Sequence, residues 1–365
     1  MLGRGILIAV LLAPGVAPAQ PPSSSLVLTT KYFAFHSDLA NNVNDALVSA
    51  ASARRAKQPE PFAAGPERVC LDGLPSVERE RWERAVAYYT DSKATNFQIV
   101  LLRFKLAGLQ QRYGMDDRSN LQYLDEITAV REAATPAYVK CRWPAQDALN
   151  RQWIERVRPL LNRYETSLGE EFPRLLQLAW TGMPFRVDVV ETAGFGGANA
   201  ASTDSSISHI RISSTNSSNQ DRAALEVAFH EAVHSLTTPG SPVGTPLASG
   251  VKTSGATLPQ MDLVHAVHFF IAGEAVRRAF ARAGEPPYTP YLYALKLFPD
   301  QFRETAARIA ELGRQPYTSR KFLMKYADRV LFGTDGPRSA ERLYPHWRFF
   351  ETNDEYFRYS EAPFP

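Results

Sequence analysis

The chain has 365 residues, a net charge of +3 with both signs mixed along it, and 44% hydrophobic residues. That length suggests about two domains with sizeable cores, and without a long basic run no nucleic-acid partner is expected. Beyond the N-terminus nothing approaches the ~18 consecutive apolar residues of a membrane span, so no transmembrane segment is expected. The first residues read as an export signal. Arg4 supplies a positive start, residues 6–13 (ILIAVLLA) are a short apolar run, and Ala17-Pro18-Ala19 gives the small-x-small cleavage pattern. Cleavage after Ala19 leaves Gln20 as the mature N-terminus of a secreted or periplasmic protein. Residues 20–30 are rich in Pro and Ser and read as a flexible lead-in.

From about 36 to 180 the pattern is helical. Residues 76–92 space Val77, Trp82, Val86 and Tyr89 near helical intervals, and residues 96–112 do the same with Phe97, Val100, Leu101, Phe104 and Leu106. Pro144 suits the first turn of a helix running through Leu149, Trp153, Ile154, Val157 and Leu161. Pro159 is expected to interrupt or kink it. Cys70 and Cys141 are the only cysteines. In an exported protein such a pair favours a disulfide, the alternative being two buried thiols. Neither has metal-ligand spacing.

Near residue 184 the texture changes. Residues 185–191 (FRVDVVE) and 208–213 (SHIRIS) alternate apolar and polar positions and read as strands. Between them, residues 192–206 are rich in Gly, Ala, Ser and Thr and read as a mobile loop.

Residues 219–238 (NQDRAALEVAFHEAVHSLTT) read as a helix, with Asn219 or Asp221 at its start and Pro239-Gly240 beyond its end. Leu225, Phe229, Val233 and Leu236 fall on one arc, the expected core face. His230 and His234 are four apart and project from one side, so two imidazoles can reach one metal ion. Glu231 stands at the same cleft, where a carboxylate can take a proton from a metal-activated water. This is the H-E-x-x-H pattern. Divalent ions other than zinc also suit these ligand types.

Residues 207–280 resemble a zincin metallopeptidase, and within zincins the gluzincin type. The resemblance implies a strand along the substrate cleft shortly before the motif helix, a place that residues 208–213 suit. It also implies a glutamate as third zinc ligand on a later helix. That helix is residues 259–283 (PQMDLVHAVHFFIAGEAVRRAFARA), and Glu274 is the expected ligand. His268, His265 and Asp262 stay open as alternatives, because Glu274 faces away from His265 on the helical wheel. The resemblance further implies a Tyr or His that steadies the oxyanion of the tetrahedral intermediate. Tyr291 is the choice among Tyr288, Tyr291 and Tyr293. Residues 237–258 form a long Gly/Pro/Ser/Thr loop between the ligands.

Residues 307–365 resemble the end of a metal-dependent amidohydrolase of the (β/α)8-barrel type. Residues 329–335 (RVLFGTD) match its eighth strand, with Asp335 at the active end. The His-x-His of that family's first strand is absent, so the segment reads as a truncated fragment.

The expected fold is therefore α+β and mostly helical. It comprises a signal peptide (1–19), a helical N-terminal region (20–180), a zincin-like core (181–306) and the amidohydrolase-like fragment (307–365). The expected activity is hydrolysis of a peptide or protein substrate by a Zn2+ enzyme. Its ligands are His230, His234 and Glu274, its base is Glu231, and Tyr291 assists. Two rivals stand beside it: a hydrolase of the amidohydrolase class, and a non-catalytic exported binding protein with a degenerate zincin core. Nothing in the sequence bears on oligomeric state.

Overall fold

The computed structural model describes residues 25–60, 65–91, 96–109, 118–176, 178–180, 183–194, 197–204, 207–237 and 260–297. The expected signal segment (1–19), the expected loop beyond Thr237 and the segment expected to be amidohydrolase-like (307–365) lie outside those residues. The described chain is α+β and mostly helical, with one five-stranded sheet.

The chain opens with β1 (Leu26–Thr29) and β2 (Phe33–His36), an antiparallel pair. Residues 26–29 are thus a strand and not part of a flexible lead-in. Burial of Leu28, and of Phe33 and Phe35 beside it, outweighs the polar composition of the preceding residues. Helices α1 (Leu39–Arg55), α2 (Gly65–Gly73), α3 (Ser76–Thr90), α4 (Asn96–Leu106) and α5 (Arg118–Cys141) follow. They surround a core of Leu47, Trp82, Tyr89, Phe104 and Tyr138. Cys70 and Cys141 form the expected disulfide, joining α2 to α5.

Helix α6 (Trp143–Leu176) begins where Pro144 suggests, but Pro159 does not end it. It runs on through Pro159 and Pro173, because one face carries Trp153, Ile154, Val157, Leu161, Leu168 and Phe172 into the larger core. That packing outweighs the hydrogen bond each proline removes.

Strand β3 (Phe185–Val190), strand β4 (Ala198–Asp204) and strand β5 (Ile207–Ser213) complete the sheet, in the order β1-β2-β3-β5-β4. β2, β3 and β5 are parallel to one another, and β4 is antiparallel to β5 at the edge. The expected mobile loop at 192–206 therefore contains the edge strand. Its small residues carry little strand propensity, and pairing of Ala198 with Ile212 and of Ala200 with Ile210 sets the conformation.

The two faces of the sheet differ. Phe33, Phe35, Phe185, Val187, Val189, Ile210 and Ile212 point into the core shared with α6, helix α7 (Asp221–Thr237) and helix α8 (Gln260–Arg282). One apolar core thus crosses residue 180, joining β1, β2 and α6 to the later elements. The other face is polar and is covered by α1. Asp188 bonds His209 at 2.6 Å and Arg186 at 2.9 Å. Asp45 pairs with Arg211, and the Asn42 side chain donates to the Val189 carbonyl at 3.2 Å. These contacts pair the buried charges across the sheet, while Nδ1 of His209 and Nε of Arg211 stay without a hydrogen-bond partner among the described residues.

Candidate metal centre

Helix α7 carries the motif. Leu225, Phe229, Val233 and Leu236 are all buried, as their spacing predicts. The start of α7 is tied to the sheet. A 3-10 turn (Ser217–Asn219) precedes it, and the Asn219 side chain donates to the Gly197 carbonyl at 2.7 Å and the Ser213 carbonyl at 3.2 Å. Asn219 thereby ties the entry to α7 to the start of β4 and the end of β5.

Helix α8 lies against α7 and runs antiparallel to it. His234 and His230 meet His265, the His230 ring stacks on Phe269 at 4.0 Å, and Glu226 meets Gly273. Each step towards the start of α7 matches a step towards the end of α8. Gly273 permits the close approach, since a Cβ there would meet Pro290 Cβ at 2.6 Å and Glu226 Oε1 at 3.0 Å.

This register brings three imidazoles together. The ligand nitrogens of His230, His234 and His265 all lie within 4.8 Å of one another, close enough to hold one metal ion. Their ring centroids form a nearly equilateral triangle of 5.0, 5.2 and 5.1 Å. Nε2 of His230 is 3.2 Å from Nε2 of His265. His268 stands beside them, its centroid 4.6 Å from that of His234.

Several polar atoms at this cluster are buried without a partner among the described residues. They are Nδ1 of His230, both ring nitrogens of His268, and Oε2 of Glu231. Unpartnered buried groups are costly, and here they are of the types that bind metals. The donor set therefore fits a divalent cation. Burial, joined by the neighbouring imidazoles, lowers the pKa of His230 and His268, and lowers that of His234 to about 3. The rings are neutral at pH 7, the form that offers a lone pair to a metal.

Glu231 is buried next to His234, its Oε2 lying 3.9 Å from His234 Nε2. The backbone N–H of Ala200, on edge strand β4, donates to its carboxyl. Burial raises the Glu231 pKa to about 8 against that hydrogen bond and the nearby Arg103.

Glu274 stands elsewhere. It pairs with Arg277 at 2.7 Å and has Arg278 at 3.8 Å. Nine residues separate it from His265, about 13 Å along a helix and on the opposite side. The metal-competent group has His265 where the sequence favoured Glu274. The sequence does not single out His265: helical spacing leads back from the buried Ala272 and Val276 to His265 and equally to His268. Tyr291 opens the short helix α9 (Tyr291–Ala294) and is buried. Its ring stacks on Phe269 at 5.8 Å, and Phe269 in turn stacks on His230. Tyr288 bonds Glu226, and Tyr293 is half-exposed. The Asp262 side chain lies outside the description.

The helix pair, the sheet with its antiparallel edge and the histidine triangle define an α+β chain whose three imidazoles lie close enough to hold a metal ion. The chain matches no protein family, no curated protein and no solved structure at a significant level. Among the described residues, no helix is long and apolar enough to cross a membrane.

Proposed function

We propose that this chain is an exported zinc-dependent hydrolase of the zincin kind that cleaves peptide bonds. The observation that carries the proposal is the pairing of three convergent imidazoles with a buried carboxylate, Glu231, that keeps one oxygen unpartnered among the described residues. His230, His234 and His265 are the residues that would hold the ion. Zinc, when bound, would act as a Lewis acid that lowers the pKa of water and polarises a carbonyl.

The chain's own residues supply the rest. Glu231 is the general base: a bound cation beside its carboxyl would favour the ionised form, against the rise that burial causes. The carboxylate accepts a proton from the attacking water and delivers it to the leaving amine nitrogen. The Ala200 N–H holds one oxygen of its carboxyl in place. Edge strand β4 lies beside α7 and pairs on one side with β5, so an extended peptide can align along it by backbone hydrogen bonds. Tyr291, fixed against Phe269, is the side chain proposed to steady the developing oxyanion. Export is supported by the N-terminal pattern and by the Cys70–Cys141 disulfide, which suits an oxidising compartment.

Elemental analysis of the purified full chain, beside His234→Ala, is the deciding experiment, followed by hydrolysis of an unfolded protein such as casein. We expect about one zinc per chain, lost in His234→Ala. Glu231→Gln keeps the zinc and loses activity by roughly 10²–10⁴-fold. A well-folded chain that takes up no metal, or a Glu231→Gln variant of full activity, overturns the proposal.

A further inference from the structure

His268 is 3% exposed, and neither of its ring nitrogens finds a hydrogen-bond partner among the described residues. An imidazole in such a place has lost water at both nitrogens and gained nothing in return. A histidine that only oriented another side chain would spend at least one nitrogen on a hydrogen bond. His268 spends neither.

Its position gives the reason. His268 follows His265 by three residues on α8, so the two rings leave neighbouring parts of the same helix face. Its centroid lies 4.6 Å from that of His234, 6.2 Å from that of His230 and 6.1 Å from that of His265. With metal–nitrogen bonds of about 2.0–2.1 Å, four tetrahedral imidazoles place their ring centroids about 5 Å apart. The first three rings already have that spacing. The fourth departs from it by roughly an ångström and its nitrogens fall outside the 4.8 Å group, so His268 reaches the ion by a side-chain rotation.

We propose that His268 is a fourth ligand, and that the centre closes on four imidazoles when the cleft is empty. The proposal rests on the reading that His230, His234 and His265 hold the metal. Sites with four protein ligands are closed, whereas hydrolytic sites keep one position for water. His268 therefore has to swing away before water and a substrate carbonyl can enter. Arrival of substrate between β4 and α7 supplies the occasion. Small anions compete with His268 for the same position.

X-ray absorption at the zinc edge of the full-length chain counts the imidazoles directly. Four are expected in the wild type, and three with one oxygen in His268→Ala. The same substitution is expected to weaken zinc affinity by roughly 10- to 100-fold, the range for groups that support a metal site. In the cobalt-substituted protein, azide should bind more tightly to His268→Ala than to the wild type. Three imidazoles and an oxygen in the wild type overturn the proposal and leave the three-histidine centre intact. A wild type that binds no metal overturns both. If His268→Ala fails to fold, the wild-type ligand count still decides.

Discussion

The Tyr288 hydroxyl donates to Glu226 Oε2 at 2.6 Å, one helical turn ahead of His230 on α7. The same carboxylate accepts the backbone N–H of Tyr291 at 3.0 Å. A single buried acid thus fastens the segment after α8 onto the helix that carries the histidines. Through Tyr291 and Phe269 this fastening backs the His230 ring. The separation of roles along one face of α7 is plain: Glu226 holds the wall, and His230 and His234 turn towards the metal position.

Burial raises the Glu226 pKa to about 7, more than the hydrogen bonds from Tyr288 and Tyr291 lower it, and Glu274 adds to the rise. The folded state therefore keeps a proton that the unfolded chain releases near 4.5. Stability from this group is full below about 4.5 and falls as pH rises to about 7, by about 3 kcal/mol in all. Glu226→Gln should remove that slope. Urea unfolding of the metal-free protein between pH 4.5 and 8 checks it, and an identical pH dependence in both proteins rejects the account.

His265 and Glu274 give opposite outcomes as alanine variants. His265→Ala removes one of three convergent ligands, and zinc affinity should fall by at least the roughly 10- to 100-fold seen when a supporting group is lost. Glu274→Ala breaks an ion pair with Arg277 whose partners are 16% and 43% exposed in their side chains. Such a pair contributes about 0–1 kcal/mol, so folding and zinc content should survive. Competition with a chromophoric chelator measures both. Zinc lost in Glu274→Ala and kept in His265→Ala would restore the glutamate as third ligand.

How much of this was legible depends on where the determining contacts lie. The α7 core face and the two histidines follow from spacing within one helix, and β3 and β5 from local alternation. The third histidine of the cluster does not, because it depends on how α8 registers against α7. His265 and His268 look alike in sequence, and only the antiparallel pairing of His230 with Phe269 and of Glu226 with Gly273 puts His265 opposite the motif. Strand β4 was hidden for a related reason. Its residues, ANAASTD, are poor strand formers alone and become a strand by pairing with β5. In α6 Pro159 spoke for an interruption or a kink, and the helix runs on through it because its long-range apolar face is buried.

The Cys70–Cys141 disulfide spans a sequence separation of 71 residues. A closed loop of that size contributes about 4 kcal/mol through the unfolded chain. Replacing both cysteines by serine should lower the free energy of unfolding by about that amount, measured in urea. Both cysteines sit on the helices α2 and α5, which flank the smaller core, and not on α7 or α8. Zinc content at low denaturant should therefore be unchanged, and parallel loss of metal and stability would show the two cores to be one unit.

Gly169, about two turns before the end of α6, lies against the ring of Tyr32 at the β1–β2 turn, and a Cβ built there would overlap that ring. Tyr32 cannot easily retreat. Its backbone N–H donates to Glu165 Oε1 at 2.9 Å, and its ring packs edge-on to Trp180. Two effects oppose each other in Gly169→Ala. Helix propensity favours alanine by about 1 kcal/mol, and overpacking costs about 1–3 kcal/mol. With the backbone held by Glu165 and the buried ring backed by Trp180, overpacking wins, and the variant should lose about 1–2 kcal/mol. In a Tyr32→Leu background the overlapping ring atoms are gone and only the propensity remains. There, Gly169→Ala should stabilise by a few tenths to about 1 kcal/mol. The sign reversal between the two backgrounds, read from thermal or urea unfolding, distinguishes steric contact with Tyr32 from a general demand for glycine in α6. Destabilisation of equal size in both would place the cause elsewhere in the helix.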